Sequence, residues 1–314
     1  MLSVCATPIG NLGDISSRLE KTLRDADLIL AEDTRKSRKI LSYLNIKKPL
    51  ANILSYNDFS NPKKVDSIIK ELCSGKNAAL VSEAGMPAIQ DPGYKIIKLC
   101  IENDINITVI PGPNAALAAL VLSGLPTDSF LFAGFLPKKT AKLKEKLFEL
   151  KNLPYTLIFY ESPLRTFSLL ELLQEIIGDR NCCIAREITK MHEEIIRGKI
   201  SEILNILAGK AAANGINDTV SDNISASFKS SKQTQKTVKL KGEIVLVVEG
   251  SRKDAVLPDN ANNDIPSPDS AAIKKEFEKL LQKNISRKEV FKILKDKYGI
   301  KRQTLYNITL KKII

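Results

Sequence analysis

The stretch "AALVSEAGMPAIQDPG", Ala78–Gly93, decides how this 314-residue chain is read. It starts as a strand with apolar side chains at four of its first five positions, the pattern of a strand covered on both faces. The strand then gives way to a stiff turn. Pro87 and Pro92 fix the backbone, while Ala84 and Gly85 let main-chain groups come close to another molecule.

The same strand–turn–helix unit recurs on both sides. "LSVCATP" (2–8), "LILAE" (28–32) and "ITVIP" (107–111) are short apolar runs of the same kind. Between them "SRLEKTLRDA" sets Leu19 and Leu23 on one side of a helix, and "DSIIKELCSG" and "YKIIKLCIEN" are also helical. Strands alternating with helices of this length give βαβ units, a parallel sheet and helices on both faces. A second series follows "GLPTD": "SFLFAGF", a lysine-studded helix (138–150), "TLIFYES", "RTFSLLELLQEII", "NCCIARE", "EIIRG" and "GEIVLVVEG". The expected organisation is an N-terminal α/β domain (1–114) and a second α/β domain (115–250) interrupted by a polar, flexible insertion (210–238). A Pro- and Asp-rich linker (251–270) then leads to a small helical unit (271–314). In that last unit Ser286 and Glu289 have capping-box spacing, so a helix starts there, and Gly299 ends it before "KRQTLYNITL".

Composition narrows the function. The net charge is +12, and residues 271–314 alone carry thirteen Lys/Arg against four acids, +9, leaving only +3 for the rest. Such a tail suits a polyanion, through attraction and counterion release. The longest apolar run, Ala115–Leu122, is too short to span a bilayer, and "MLSVCATPIG" lacks the features of a secretory signal, so a cytoplasmic protein without a membrane role is expected. The five cysteines show no C-x-x-C spacing and read as reduced, buried thiols. The single histidine, His192, argues against a histidine-rich metal site, and no metal is expected.

In a parallel sheet, ligands collect beyond the carboxyl ends of the strands. The segments there are "ATPIGNLGDIS", "AEDTRKSRK", "SEAGMPAIQDPG" and "PGPNAA", each rich in Gly, Pro or small polar residues, and together they wall a cavity. "GNLGD" is not a dinucleotide fingerprint, and no P-loop pattern occurs.

Taken in order, "ATPIGNLGDIS", "AEDTR", "SEAGMPAIQDPG", "PGPNA", "SGLPTDSFLFAGFLP", "FYES" with Arg165, "AREITK" and "GEIVLVVEG" resemble the tetrapyrrole methylase superfamily, in its branch that acts on ribosomal RNA. The likeness spans residues 1–250 and eight separate motifs, and the basic tail is similar as well. It implies a two-domain α/β fold with parallel or mixed sheets, a homodimer, and S-adenosylmethionine held between the domains. It also implies 2′-O-ribose methylation of a cytidine in the decoding region of 16S rRNA, with the small ribosomal subunit as partner. By motif, the cofactor contacts fall on Pro8, Ala84, Gly85, Met86, Ile89, Asn114, Ala115 and Glu161. Asn114 opens a helix whose free N–H groups suit a carboxylate. The family has Asp where this chain has Glu83, Thr where it has Met86 and His where it has Leu164.

For the proton of the attacking hydroxyl the candidate acceptors are Asp33, Glu161 and Glu187, with Asp33 favoured because it follows a strand directly. Arg35, Arg165 and Arg186 are expected to hold phosphates or to orient those acids. The alternatives are a methyltransferase of the same superfamily acting on a precorrin or a protein, and a non-catalytic RNA-binding assembly protein.

Overall fold

The computed structural model describes residues 1–213, 240–251, 270–282, 286, 289–291 and 293–294. The chain divides into two compact units, Met1–Asp254 and Ala255–Ile314. The first unit holds two five-stranded sheets.

The first sheet is built from β1 (Leu2–Cys5), α1 (Ser17–Asp25), β2 (Leu28–Ala31), α2 (Thr34–Tyr43), β3 (Ile53–Ser55), α3 (Pro62–Cys73), β4 (Ala78–Val81), α4 (Tyr94–Glu102) and β5 (Ile107–Ile110). Its order is β3-β2-β4-β1-β5, and every pairing is parallel. The three inner strands, β2, β4 and β1, are short and apolar because both faces are covered. Leu2, Val4, Leu30 and Leu80 pack with Ile68, Leu72 and Ile96 of α3 and α4. Cys5, Ile29, Ala79 and Val81 pack on the other face with Leu19, Leu23 and Leu41 of α1 and α2. A period of two along each strand thus feeds two cores.

The second sheet follows α5 (Ala115–Ser123), with β6 (Phe130–Phe135), α6 (Thr140–Leu150), β7 (Thr156–Glu161), α7 (Pro163–Ile177), β8 (Asn181–Arg186), β9 (Glu194–Lys199), α8 (Ile200–Ala213) and β10 (Ile244–Val248). The order is β6-β7-β10-β8-β9; only β6 and β7 pair in parallel, and the sheet is mixed. One face packs on α6, α7 and α8 through Leu147, Leu170, Leu173 and Ile203. The other meets α5, where Ala116, Ala119 and Leu120 lie with Ile158, Val245 and Val247. Ile9, from the turn after β1, joins this second core and ties the first sheet's edge to the second sheet.

Three elements depart from the sequence reading. The turn "AEDTRKSRK" is mostly helix: Asp33 caps α2, accepting from the Arg35 N–H at 2.8 Å, and the basic residues turn outward on its first turns. The strand β3 was not anticipated, because three half-exposed edge residues carry too little pattern. Helix α8 was also unassigned, and it runs into the first four positions of the expected insertion, 210–213; the rest of that insertion lies outside the described residues. Four cysteines are buried, whereas Cys73 is exposed. Among the described residues, no helix is long and apolar enough to cross a membrane.

In the second unit, α9 (Ser270–Gln282) buries Ile273 and Phe277 with Val290 and Leu294. The Glu289 N–H donates to Ser286 Oγ, as the capping box requires. Gly299 and "KRQTLYNITL" lie outside the described residues.

Candidate active site

At the carboxyl edge of the first sheet lies a cavity of about 390 Å³, within the range of small-molecule sites. The turn after β4 forms one wall. Past Ser82 the chain bends back, and Gly85 exchanges two backbone hydrogen bonds with Thr7, at 2.8 and 3.0 Å. Gly85 sits at φ +79°, where a Cβ would stand 3.3 Å from Ile9 and 3.6 Å from the Pro113 carbonyl. Only glycine brings its backbone there without strain. Ala88 and Gln90 also have positive φ, at 66° and 65°, so the turn stores strain. It is held at its far end by Asp58, whose carboxylate accepts from the Gly93 N–H at 3.1 Å.

The structure brings seven of the sequence-expected residues into this lining: Ala84, Gly85, Met86, Ile89, Asn114, Ala115 and Glu161. Pro8 sits between Thr7, bridged to Gly85, and Ile9, which lines the cavity in its place. Asn114 caps α5, accepting from the Leu117 N–H at 3.1 Å. That leaves the Ala115 and Ala116 amides without intrahelical acceptors.

Glu161 ends β7 and is almost fully buried. Its Oε1 accepts from the Ser162 N–H at 2.7 Å. Its Oε2 lies 3.4 Å from Arg165, an ion-pair distance without hydrogen-bond geometry, and it accepts no hydrogen bond. Burial pushes its carboxyl up, while the Ser162 amide and Arg165 pull the other way. Arg165 itself donates to the Pro137 carbonyl at 3.1 Å.

The remaining expected acids are engaged elsewhere. Asp33 is gripped by Arg35 through Oδ1 at 3.1 Å and Oδ2 at 2.8 Å, and this partner holds its carboxyl down at about 2. Neither Asp33 nor Arg35 belongs to the lining. Glu187 accepts from Lys190 and from the Glu243 N–H, each at 2.8 Å, and the Lys190 bond lowers its pKa. Arg186 pairs with Glu194 at 3.0 Å. Leu164 is exposed on the first turn of α7.

Sequence reasoning missed other residues. Asp91 lines the cavity; burial first, then the carboxylates of Glu32 and Glu83, push it up to about 6. Lys36 pairs with Glu83 across the rim. Phe135 and Tyr160, edge to face at 5.6 Å, make an aromatic side. Gly242–Val245 complete the lining. Asp91 was visible in the opening stretch itself, in "QDPG".

Residues 1–204 match the sequence profile of the tetrapyrrole (corrin/porphyrin) methylases, and the chain belongs to that family. Over 316 residues it is 37% identical to the ribosomal RNA small subunit methyltransferase I of Rickettsia prowazekii, covering 99% of this chain and 96% of that protein. The protein of the same name from Thermotoga maritima is 46% identical over 205 residues, 65% of this chain and 90% of its own length. Among solved structures, diphthine synthase superposes with a TM-score of 0.51 at 10% identity, over 79% of this chain and 89% of that one, which shows the shared fold.

The methyl donor of the family is S-adenosylmethionine. The cavity fits it: a glycine cradle, the Ala115 amide at the start of α5 for a carboxylate, an aromatic side, and a buried Glu161 oxygen lacking a donor.

Proposed function

We propose that this chain transfers a methyl group from S-adenosylmethionine to the ribose 2′-hydroxyl of a cytidine in the decoding region of 16S rRNA. It acts on the small ribosomal subunit, in the cytoplasm, as a homodimer. The observation that carries this reading is the extent of similarity to the Rickettsia relative, which covers 99% of the chain and so takes in the cationic tail as well as the cavity.

The cofactor, when bound, supplies a methyl carbon made electrophilic by a sulfonium. The chain's residues do the rest. Gly85, Ala84, Met86 and Ile89 present the β4 turn to it, with Pro8 fixing the opposing segment. Asn114 and Ala115 offer the start of α5 to a carboxylate, and Glu161 accepts a hydrogen bond from a hydroxyl or amine. Holding the ribose oxygen in line with the methyl carbon supplies most of the acceleration, since aligned groups reach effective molarities of about 10⁵ M or more. The hydroxyl proton needs an acceptor. Of the acids, Asp91 suits that role best: it faces the cavity and its pKa near 6 leaves it ionised yet basic at neutral pH. Arg165 positions Glu161, and Asp33, Arg35 and Glu187 shape the surrounding turns.

The test is incubation of the chain with methyl-labelled cofactor and purified small subunits from a strain lacking the gene, followed by mass mapping of ribose methylation. Label on one 16S cytidine ribose is expected. Label confined to a protein or a small molecule overturns the reading.

A further inference from the structure

We propose that Phe59 is a stacking platform for a base of the RNA substrate, beside the cavity turn; the inference rests on the rRNA reading above and extends it to a second contact surface. The ring is 94% exposed, yet the loop that carries it is tightly built. The Phe59 N–H donates to Asn57 Oδ1 at 2.9 Å, the Ser60 N–H to the Asn57 carbonyl at 2.9 Å, and the Asn57 N–H to Ser60 Oγ at 2.9 Å. Before it, Tyr56 is buried and continues the sheet, its N–H donating to the Ala31 carbonyl at 2.8 Å. The chain therefore holds an apolar ring in water at a fixed place, when packing it inward would favour folding.

The loop's position is functional as well as rigid. It leaves β3, which is parallel to β2, and so emerges at the same sheet edge as the cavity turns. Asp58 links the two, accepting from Tyr56 Oη at 3.2 Å and from the Gly93 N–H at 3.1 Å; Gly93 lies two residues past Asp91. Lys95 donates to the Asp58 carbonyl and stands 5.5 Å from the centre of the Phe59 ring. Tyr94, two-thirds exposed, precedes it. The ring's chain neighbours are Asn57, Asp58, Ser60 and Asn61, and Lys63 is exposed in the first turn of α3. One ring in a polar setting with lysines nearby offers little to an apolar protein groove. It matches a nucleotide, whose base has a flat face and whose phosphate takes a cation; aromatic stacking of this kind tolerates any base.

The chain has no tryptophan, which makes the test direct. The full-length Phe59→Trp variant carries one indole, at the ring itself. It is titrated with a single-stranded oligoribonucleotide of the decoding-region sequence, end-labelled so that anisotropy reports binding independently. Indole emission is expected to quench in step with anisotropy. Phe59→Ala is expected to weaken that binding by about 5- to 100-fold, and Phe59→Tyr to restore it, with S-adenosylmethionine affinity unchanged in all three as the check on folding. Oligonucleotide binding with no quenching, or wild-type affinity in Phe59→Ala, overturns the proposal while leaving the rRNA reading intact. Loss of activity on intact subunits with no change on bare RNA assigns Phe59 to a protein contact and also overturns it. A wild-type chain that does not bind the oligoribonucleotide overturns the proposal, and one that also fails to methylate purified small subunits overturns both.

Discussion

Two acid-bearing turns leave the same edge of the first sheet, and they are built in opposite ways. After β2, Asp33 is saturated by its own neighbour: it caps α2 and takes both a backbone and a guanidinium partner from Arg35. After β4, Glu83 and Asp91 sit in a strained turn around open space, with Glu32 near enough to couple and Lys36 as the cation on the rim. The first arrangement lowers a carboxyl pKa and fixes a helix start. The second raises one and leaves it facing a cavity. A carboxylate just past a strand is therefore no reagent by virtue of its place; what surrounds it decides.

The largest test of this contrast is steric. Gly85→Ala and Gly124→Ala both place a side chain at positive φ, 79° and 70°, and both carry a strain of about 1–3 kcal/mol. Around Gly124 there is open space, whereas the Gly85 Cβ meets Ile9 at the cavity wall. Both variants should melt earlier. Only Gly85→Ala should weaken S-adenosylmethionine binding, as read by calorimetry, because its added methyl group meets Ile9 and displaces the cavity wall. Equal affinities in the two variants would break the assignment of the cavity.

Next comes exchange of the acids. Asp91→Asn should lower kcat by about 10²- to 10⁴-fold with cofactor affinity nearly kept. Asp33→Asn should retain most turnover, because Asn also caps helices well. The reverse pattern would return the proton to Asp33 and sink the contrast between the turns.

Much of this was legible in the sequence. The inner strands β1, β2 and β4 stood out as apolar runs because both faces are buried, and the edge strand β5 because it too is apolar at three of four positions. The β4 turn was marked by Gly85 and its prolines. What was hidden has physical causes. Arg35 was an expected partner of the acids, but that Asp33 starts a helix with its own side chain, and so takes the Arg35 amide as well as its guanidinium, was not legible. Gly242–Val245 were overlooked because the carboxyl-end rule holds for parallel strands, and β10 runs backward. Ile244, its first residue, pairs with Glu161, the last of β7, so the amino end of β10 faces the cavity. Phe59 was hidden with β3, an edge strand too short to announce the loop it carries.

The pH dependence sharpens the comparison further. Asp91 must be ionised to accept a proton, so kcat/KM should climb with pH and level off above about 6, and Asp91→Asn should remove that limb. Stability should move the other way. The folded chain holds the Asp91 proton more tightly than the unfolded chain, from an ordinary 3.8 to about 6, so this group's contribution falls as pH rises across that window. Asp33, depressed to about 2, contributes stability that is present above an ordinary 3.8 and lost on acidification toward 2.

The smallest effect is the most specific, because it separates burial from charge as the source of Asp91's raised pKa. Burial is the leading cause, Glu32 and Glu83 add to it, and Lys36 opposes it. If the β4 turn works as a coupled set, Glu83→Gln should move the ascending limb of kcat/KM to lower pH and Lys36→Met should move it higher. Each shift should be a unit or less, about 1.4 kcal/mol at most. Both groups are about half exposed, so salt should shrink the two displacements together. Arg35→Met, on the turn where the charges are satisfied locally, should leave the limb in place. A limb that ignores Glu83 and Lys36 but follows Arg35 would mean that the working carboxylate lies after β2.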